Sequence, residues 1–412
     1  MSRMNVKEAA EKWGISVRRV QEYCRTGRVD GAQRLGSVWT IPVDAKRPDD
    51  YRTNEPKNSK FINQPLIRKS PLLDMTDLYA EPGTADKAIS ALKNYPESQV
   101  LFEAQIAYSK GDIDKVLLHV QEILDSHSGF FAVQAGGMLL ALAALWKGDV
   151  YLWKKARLHL LEVPVYRAED EDLIALSLAC IDSVVRKIDE YPSWFTRGDF
   201  SKLPSASHPA AKVFYARYLL VYAQELAKGG LESEDVKGIG LVKYVPYTIE
   251  PLITQAMLDK TVIPEIYLRI LCAIAYHQSG QKDLAVFHLD KAIDLALPDG
   301  LIGILAEHRR QLDYLLDERL ELKDKEAFKK YKVLHQQLLN GWTKIHNAVL
   351  DRKVSVELTI REREISRLAS FGLTNQEISD RLHISLSSVK KAIYDAMNKT
   401  GVNRRDELKD FI

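Results

Sequence analysis

The sequence predicts a mainly α-helical protein: a long helical middle with a small helical module at each end, the first of two helices finished by a β-hairpin and the last of four helices. Three observations carry this expectation. From about Met75 to Leu350, apolar residues recur at helical spacing with only short breaks. Among those helices the breaks take a common form, Gly-Asp or Gly-Gln, as in Gly111-Asp112, Gly148-Asp149 and Gly280-Gln281. At either end, a pair of short helices brackets a tight turn, the pattern of a helix-turn-helix.

Taken in order, Asn5 is placed to cap a helix over Val6 to Trp13, and Gly14-Ile15-Ser16 to make the turn. Ser16 then caps a helix from Val17 to about Arg25, which Thr26-Gly27-Arg28 ends. Ala32-Gln33-Arg34 and Trp39-Thr40-Ile41 read as two strands joined through Leu35 to Val38, a plausible wing. On the second helix Arg18, Arg19 and Arg25 fall on the outer side, with Val17, Val20 and Cys24 nearer the core. Arginine suits bidentate readout of guanine, and Arg34 on the wing suits a phosphate or the minor groove. With Ser16, these are the candidate N-terminal DNA contacts.

Residues 1–47 therefore form a first module. Residues 48–72, rich in Pro, Asp, Asn, Lys and Ser, read as a linker. Residues 73–350 form the helical middle. It includes Phe130 to Trp146, an apolar run at the lower edge of membrane-spanning length, which reads as a buried helix because Gln134 and two glycines interrupt it. A long helix from about Asp324 to Leu350 leads into the last module, residues 351–412.

In that module Thr359 with Glu362 reads as a capping box, and Ile360, Ile365 and Leu368 give its first helix one apolar face. Phe371-Gly372-Leu373 stops the helix. Thr374 with Glu377 starts a second one, Asn375 to Leu382, and His383-Ile384-Ser385 turns the chain. The third helix runs from about Leu386 to Lys399 and closes on Gly401. Val389, Ile393, Ala396 and Met397 face inward; Lys390, Lys391 and Tyr394 face out. Ser387 and Ser388 stand in the first turn, where hydroxyls and amides can meet a phosphate. Asn403 caps a short fourth helix, Arg404 to Phe411.

Charge is distributed to match. The chain as a whole carries +2, but residues 1–48 hold 10 basic and 5 acidic groups, residues 49–70 hold 5 and 3, and residues 352–412 hold 12 and 9. The remaining middle is therefore at −8. Basic ends on an acidic middle fit nucleic-acid contact through the ends. The three cysteines are far apart and show no disulfide or metal spacing, and no signal-peptide core opens the chain, so a cytoplasmic protein is expected. No phosphate-binding loop, dinucleotide fingerprint or Gly-x-Ser-x-Gly elbow occurs, and the ten histidines form no metal cluster. His277 and His288 read as packing residues. No enzyme activity, cofactor or metal is expected.

The last module resembles the LuxR-type DNA-binding domain of bacterial transcription regulators. The matching residues are Leu358-Thr359, Arg363-Glu364, Gly372-Leu373-Thr374-Asn375, Glu377-Ile378, Leu382, Ile384-Ser385, Val389-Lys390, Lys399, Gly401-Val402 and Arg404 or Arg405. Ala392 and Thr400 depart from the family, which has His and Leu there. The resemblance implies double-stranded DNA as partner. It places Thr374, Asn375, Lys399 and Arg404 beside Ser387, Ser388, Lys390, Lys391 and Tyr394 as DNA contacts. It further implies a homodimer on DNA, with Leu408, Phe411 and Ile412 as the dimer contact.

The first module looks like the MerR- and excisionase-like DNA-binding families, through Val6-Lys7-Glu8-Ala9-Ala10, Trp13-Gly14-Ile15-Ser16, Arg18-Arg19-Val20 and Gly27-Arg28. The middle resembles tetratricopeptide repeats, most clearly at Ala275 to Gln281 followed by Ala285, His288-Leu289, Ala292 and Ala296. The full expectation is an α-solenoid flanked by an N-terminal winged helix-turn-helix and a C-terminal four-helix LuxR-type helix-turn-helix. Its function would be transcription regulation, the solenoid sensing a small ligand or partner protein, with RNA polymerase a candidate partner and no membrane. Two other classes fit parts of the chain: an architectural or recombination-accessory DNA-binding protein, and a helical-repeat scaffold for other proteins.

Overall fold

The structure is a computed structural model. It describes residues 3–25, 29, 31–35, 38–47, 70, 72, 73, 75, 77, 79–126, 129–187, 190–228, 232–312, 314–350, 358, 360–400, 404–406 and 408. It divides into two compact units, Met1–Lys57 and Asn58–Ile412. The expected linker, 48–72, lies almost wholly outside the described residues, as do Thr26 to Arg28.

In the first unit, strand β1 (Arg3–Asn5) precedes α1 (Val6–Trp13) and α2 (Val17–Arg25), followed by β2 (Gln33–Leu35) and β3 (Val38–Pro42). The sheet order is β1-β3-β2, both pairings antiparallel. Asn5 ends β1 and starts α1: its Oδ1 accepts the amides of Lys7 and Glu8 at 2.8 and 3.0 Å, while Glu8 accepts the Asn5 amide at 2.8 Å. Gly14, at φ +65°, provides the left-handed turn after α1. Strand β1 is the element that sequence reading missed. Arg3 holds it in place, donating to Thr40 Oγ1 at 2.9 Å and to the carbonyl of Gly31 at 2.7 Å. Met4, Ala9, Ala10, Trp13, Val20 and Ile41 form the centre of this unit's core.

The second unit opens with α3 (Ala85–Ala91), α4 (Pro96–Lys110), α5 (Ile113–Asp125), α6 (Phe130–Lys147), α7 (Val150–Glu162) and α8 (Ala168–Val184). There follow α9 (Ser193–Thr196), α10 (His208–Lys228), α11 (Glu232–Asp259), α12 (Val262–Gln278) and α13 (Lys282–Ala296). Then come α14 (Ile302–Glu307), α15 (Arg309–Leu312), α16 (Tyr314–Lys323) and α17 (Lys325–Leu350). The Gly-Asp breaks do two jobs at once. Gly111 and Gly148 take φ +79° and +63°, which closes one helix. The next residue caps the following helix, Asp112 accepting from Lys115 N at 3.3 Å and Asp149 from Leu152 N at 2.9 Å.

From α3 to α8 and from α10 to α13 each helix packs on its sequence neighbour, but the run does not stay an open stack in which repeats touch only adjacent repeats. Helix α14 packs on α4, and α17 on α6. Glycine makes both approaches feasible: a Cβ on Gly303 would lie 2.6 Å from the carbonyl oxygen of Tyr108, and one on Gly341 only 1.9 Å from that of Leu145. Trp342 Nε1 donates to the Val184 carbonyl at 2.7 Å, and His346 Nδ1 lies 2.8 Å from that of Val185, tying α17 to the end of α8. Helix α6 is long and apolar enough to cross a membrane, yet 94% of its apolar window is buried inside the protein. It is the central core helix.

The chain ends in α18 (Ile360–Ser370), α19 (Asn375–Leu382) and α20 (Leu386–Thr400). Thr359, the expected first cap, lies outside the described residues. The expected fourth helix is described only at 404–406 and 408.

Candidate nucleic-acid interface

Helix α20 is held by one apolar face. Val389, Ile393 and Ala396 are buried with Ile365, Leu368 and Ile378, and Met397 packs against them. At about 25 cal/mol per Å² of apolar surface, such a cluster fixes the helix and decides which residues are left outside. Those outside are Ser387, Lys390, Lys391 and Tyr394, the last 66% exposed.

The turns before α19 and α20 are built from polar caps. Thr374 Oγ1 accepts the Glu377 amide at 3.2 Å, and Glu377 accepts the Thr374 amide at 2.7 Å, completing a capping box. These hydrogen bonds hold the Glu377 carboxyl below its ordinary pKa. His383 takes a left-handed φ of 52° after α19, and Ser379 Oγ donates to the Ile384 carbonyl at 2.5 Å. Ser385 Oγ accepts the Ser388 amide at 3.1 Å and lies 2.7 Å from the Ser388 hydroxyl. Ser388 is thus engaged in capping, and Ser387, though exposed, has its hydroxyl 2.9 Å from Ser385 Oγ. Sequence reading placed Ser385 in the turn; the structure makes it the cap of α20.

Other expected contacts are also redistributed. Asn375 Oδ1 accepts from Arg405 Nη1 at 3.3 Å, and Arg405 reaches the carbonyls of Ala369 and Leu373, clamping the turn between α18 and α19. Arg404 is exposed and paired with Asp406, its Nε 3.1 Å from Oδ1. The structural clamp is therefore Arg405, whose i, i+1 ambiguity with Arg404 the sequence left open. The Lys399 side chain, Phe411 and Ile412 lie outside the described residues. Leu408, expected at the dimer contact, is instead fully buried in the domain core that also holds Leu358.

Lys391 has a second neighbour. Its Nζ stands 5.5 Å from the centroid of the Tyr314 ring on α16. Asp317, one turn further along α16, takes a bidentate pair from Arg309 at 3.0 and 2.8 Å and a hydrogen bond from Tyr331 at 2.7 Å. Burial raises its pKa, but Arg309 outweighs this, with Tyr331 and the charge of Lys391 adding, so the carboxyl stays below its usual range.

In the first unit Arg18, Arg25 and Arg34 are exposed, and Ser16 Oγ accepts the Arg19 amide at 3.4 Å. Arg19 differs from its expected outward role. It is half-buried, donating from Nε to the Tyr23 hydroxyl at 3.0 Å with its guanidinium 5.7 Å from that ring. The i, i+4 spacing of Arg19 and Tyr23 was the signal that could have shown this. Among the described residues no three His, Cys, Asp or Glu side chains gather as metal ligands. His288 stacks on Tyr276 at 5.6 Å and His277 meets Tyr314 edge-on at 5.9 Å.

Searches of curated proteins and of solved structures give no match to the chain. Residues 356–412 match a family model described as bacterial regulatory proteins, luxR family. Those residues, with α19 and α20 set about a capped turn on one apolar core, are a LuxR-family helix-turn-helix domain, the DNA-binding part of a transcription regulator.

Proposed function

We propose that the chain is a sequence-specific transcription regulator that reads double-stranded DNA with α20, and whose helical middle senses an effector and governs that reading. The single observation carrying the first part is the LuxR-family domain, with Ser387, Lys390, Lys391 and Tyr394 exposed on the helix that follows its turn. Lysines there supply phosphate attraction, and the first turns of such a helix reach base edges in the major groove.

The contact of Lys391 with Tyr314 supports the second part. Lys391 cannot lie over that ring and meet DNA at once, so the helical middle and DNA compete for one side chain. An effector that favours the arrangement without this contact would raise DNA affinity, through its differential affinity for the two states. Helix α17 packs on α6 in the core of the helical middle, is the last helix before the DNA-binding domain in the chain, and is the natural carrier of such a change.

The first unit supplies a second DNA contact through Arg18, Arg25 and Arg34 in this reading, and the regulator works as a homodimer on paired half-sites about one helical turn apart. RNA polymerase is the further partner. Selection of bound DNA from random sequence by the intact protein, followed by footprinting, tests the reading. One enriched motif is expected, and Lys390→Ala should weaken binding to it by about 1–3 kcal/mol if the lysine reaches a base, or lower the salt slope by about 1 if it meets only phosphate. No enriched motif, or no effect of that substitution on affinity and salt slope, would refute it.

A further inference from the structure

Helices α11, α12 and α13 bring one carboxylate and several aromatic rings together on the helical middle, and Glu250 of α11 is the centre of the group. Its Oε1 accepts the Tyr276 hydroxyl of α12 at 2.5 Å, and His288 Nε2 of α13 stands 3.8 Å from the same oxygen. The His288 ring stacks on Tyr276, and Phe287 meets it edge-on with the centroids 5.2 Å apart. Tyr247 precedes Glu250 by three residues, so the two share a face of α11, and its electrostatic influence reaches Tyr276. Tyr244 stands one turn earlier again.

The rings at the edges of this group are not covered. Tyr247 is 79% exposed, and Tyr244 and Phe287 are each 52% exposed. Single exposed apolar side chains are ordinary on a protein surface, but a group of them marks a place where something docks.

Glu250 is equally short of a partner. Its side chain is 48% exposed, and among the described residues no lysine or arginine pairs with it. Lys243, two turns earlier on α11, forms no ion pair with it either. Burial, and next the charge of Arg269, lower the His288 pKa and keep that ring neutral, so it brings no counter-charge. Arg269 is itself committed to Glu265, its Nε donating to Oε1 at 2.6 Å. A carboxylate without a counter-charge and exposed π faces beside it attract the same thing, a cation. The net charge of −8 on the middle of the chain works in the same direction.

The group spreads over three helices and is open to solvent, so a small ammonium ion would be held from one side only. A side chain carried on a polypeptide gains the contacts that the flanking rings offer as well. Of the basic side chains, arginine is the one that pairs with a carboxylate through a planar fork and lies flat on an aromatic ring. We propose that this face of α11, α12 and α13 docks an arginine-bearing segment of a partner protein, the guanidinium pairing with Glu250 and lying against Tyr247 or Phe287. The assignment deepens the reading of the helical middle as the part that senses an effector and rests on it for its biological meaning.

The test pans phage-displayed random peptides on the full chain without DNA, then measures a synthetic copy of the enriched peptide by fluorescence anisotropy. Enriched peptides should share an arginine next to an apolar residue. Exchanging that arginine for citrulline, which keeps the shape and loses the charge, should weaken binding by about fivefold or more. Glu250→Gln, which keeps an acceptor for the Tyr276 hydroxyl, and Tyr247→Ala should each weaken it by about two- to fivefold. Circular dichroism of the variants shows whether the fold is kept, and either folded variant alone suffices. No enrichment, enriched peptides without arginine, equal binding of the citrulline peptide, or full binding by a folded variant overturns the proposal. So does self-association of the chain that Tyr247→Ala abolishes, which gives this face to a second copy instead. Because no DNA is present, such a failure leaves the DNA-binding reading standing; a protein that binds the peptide as expected but selects no DNA motif would instead refute that reading alone.

Discussion

Replacing Tyr314 by Ala should make the intact protein bind its DNA more tightly. The Tyr314 ring holds Lys391 Nζ at 5.5 Å, and Lys391 lies on the exposed face of α20 that is proposed to meet DNA. A cation–π contact at a site open to solvent contributes about 0.5–1 kcal/mol. The attraction between Lys391 and Asp317 adds little, because Asp317 is already committed to Arg309 and Tyr331. Released to DNA binding, about 0.5–1 kcal/mol corresponds to a roughly two- to fivefold gain in affinity, since about 1.4 kcal/mol is tenfold. Fluorescence anisotropy on a selected site at fixed salt reads a change of that size. The control is a double-mutant cycle: with Lys391→Ala in place, Tyr314→Ala should change nothing. Unchanged or weaker DNA binding by the single variant, or the same gain in both backgrounds, would refute competition between α16 and DNA for Lys391.

Three further outcomes are expected. Thr374→Ala removes the hydroxyl that accepts the Glu377 amide and should lower stability of the DNA-binding domain by about 1 kcal/mol, read by chemical denaturation with a probe in that domain. Gly341→Ala forces a Cβ to within 1.9 Å of the Leu145 carbonyl oxygen, so α17 must shift. The cost should be at least about 1–3 kcal/mol in a melt, far above that of Ala at an exposed helix position, where it would stabilise. Burial, and next the Arg309 charge, lower the His335 pKa to about 4, so it is neutral when folded and takes up a proton on unfolding below about pH 6.5. Stability should therefore fall as pH drops from about 6.5 toward 4, by up to about 1.4 kcal/mol per pH unit from this group, and His335→Gln should flatten that slope.

What the sequence made legible was local. Thr374 with Glu377, Asn5 with Glu8, and the Gly-Asp breaks at 111–112 and 148–149 each satisfy amides within four residues, so the residues that form them sit side by side in the chain. The inward face of α20 followed from its 3.6-residue period. What was illegible was decided by partners far away. Strand β1 is three residues long and exists through pairing with β3, more than thirty residues on. Gly303 and Gly341 carry no local signal; their purpose lies in carbonyls near residues 108 and 145. The position of Lys391 outside its helix was readable, but its neighbour Tyr314 was not. Arg19 was misassigned for a different reason: its charge was weighed and the tyrosine one turn later was not.

The seating of α17 against α6 carries a consequence for the order in which the molecule can be made. A chain emerging from the ribosome delivers its N-terminal parts first, and domains generally fold as units once complete. Helix α6 is synthesised almost two hundred residues before Gly341, the residue that closes over its carbonyl end. Contacts of such long sequence separation form late and slowly. Until residue 350 has left the exit tunnel, the apolar flank that α17 covers stays open, so the helical middle reaches its final packing only as the DNA-binding domain begins to appear. A nascent chain stalled before α17 leaves that flank uncovered and lacks α20. Completion of the core and delivery of the DNA-binding domain are thereby coupled in time: a fragment that ends before α17 lacks both the helix that closes the core and α20.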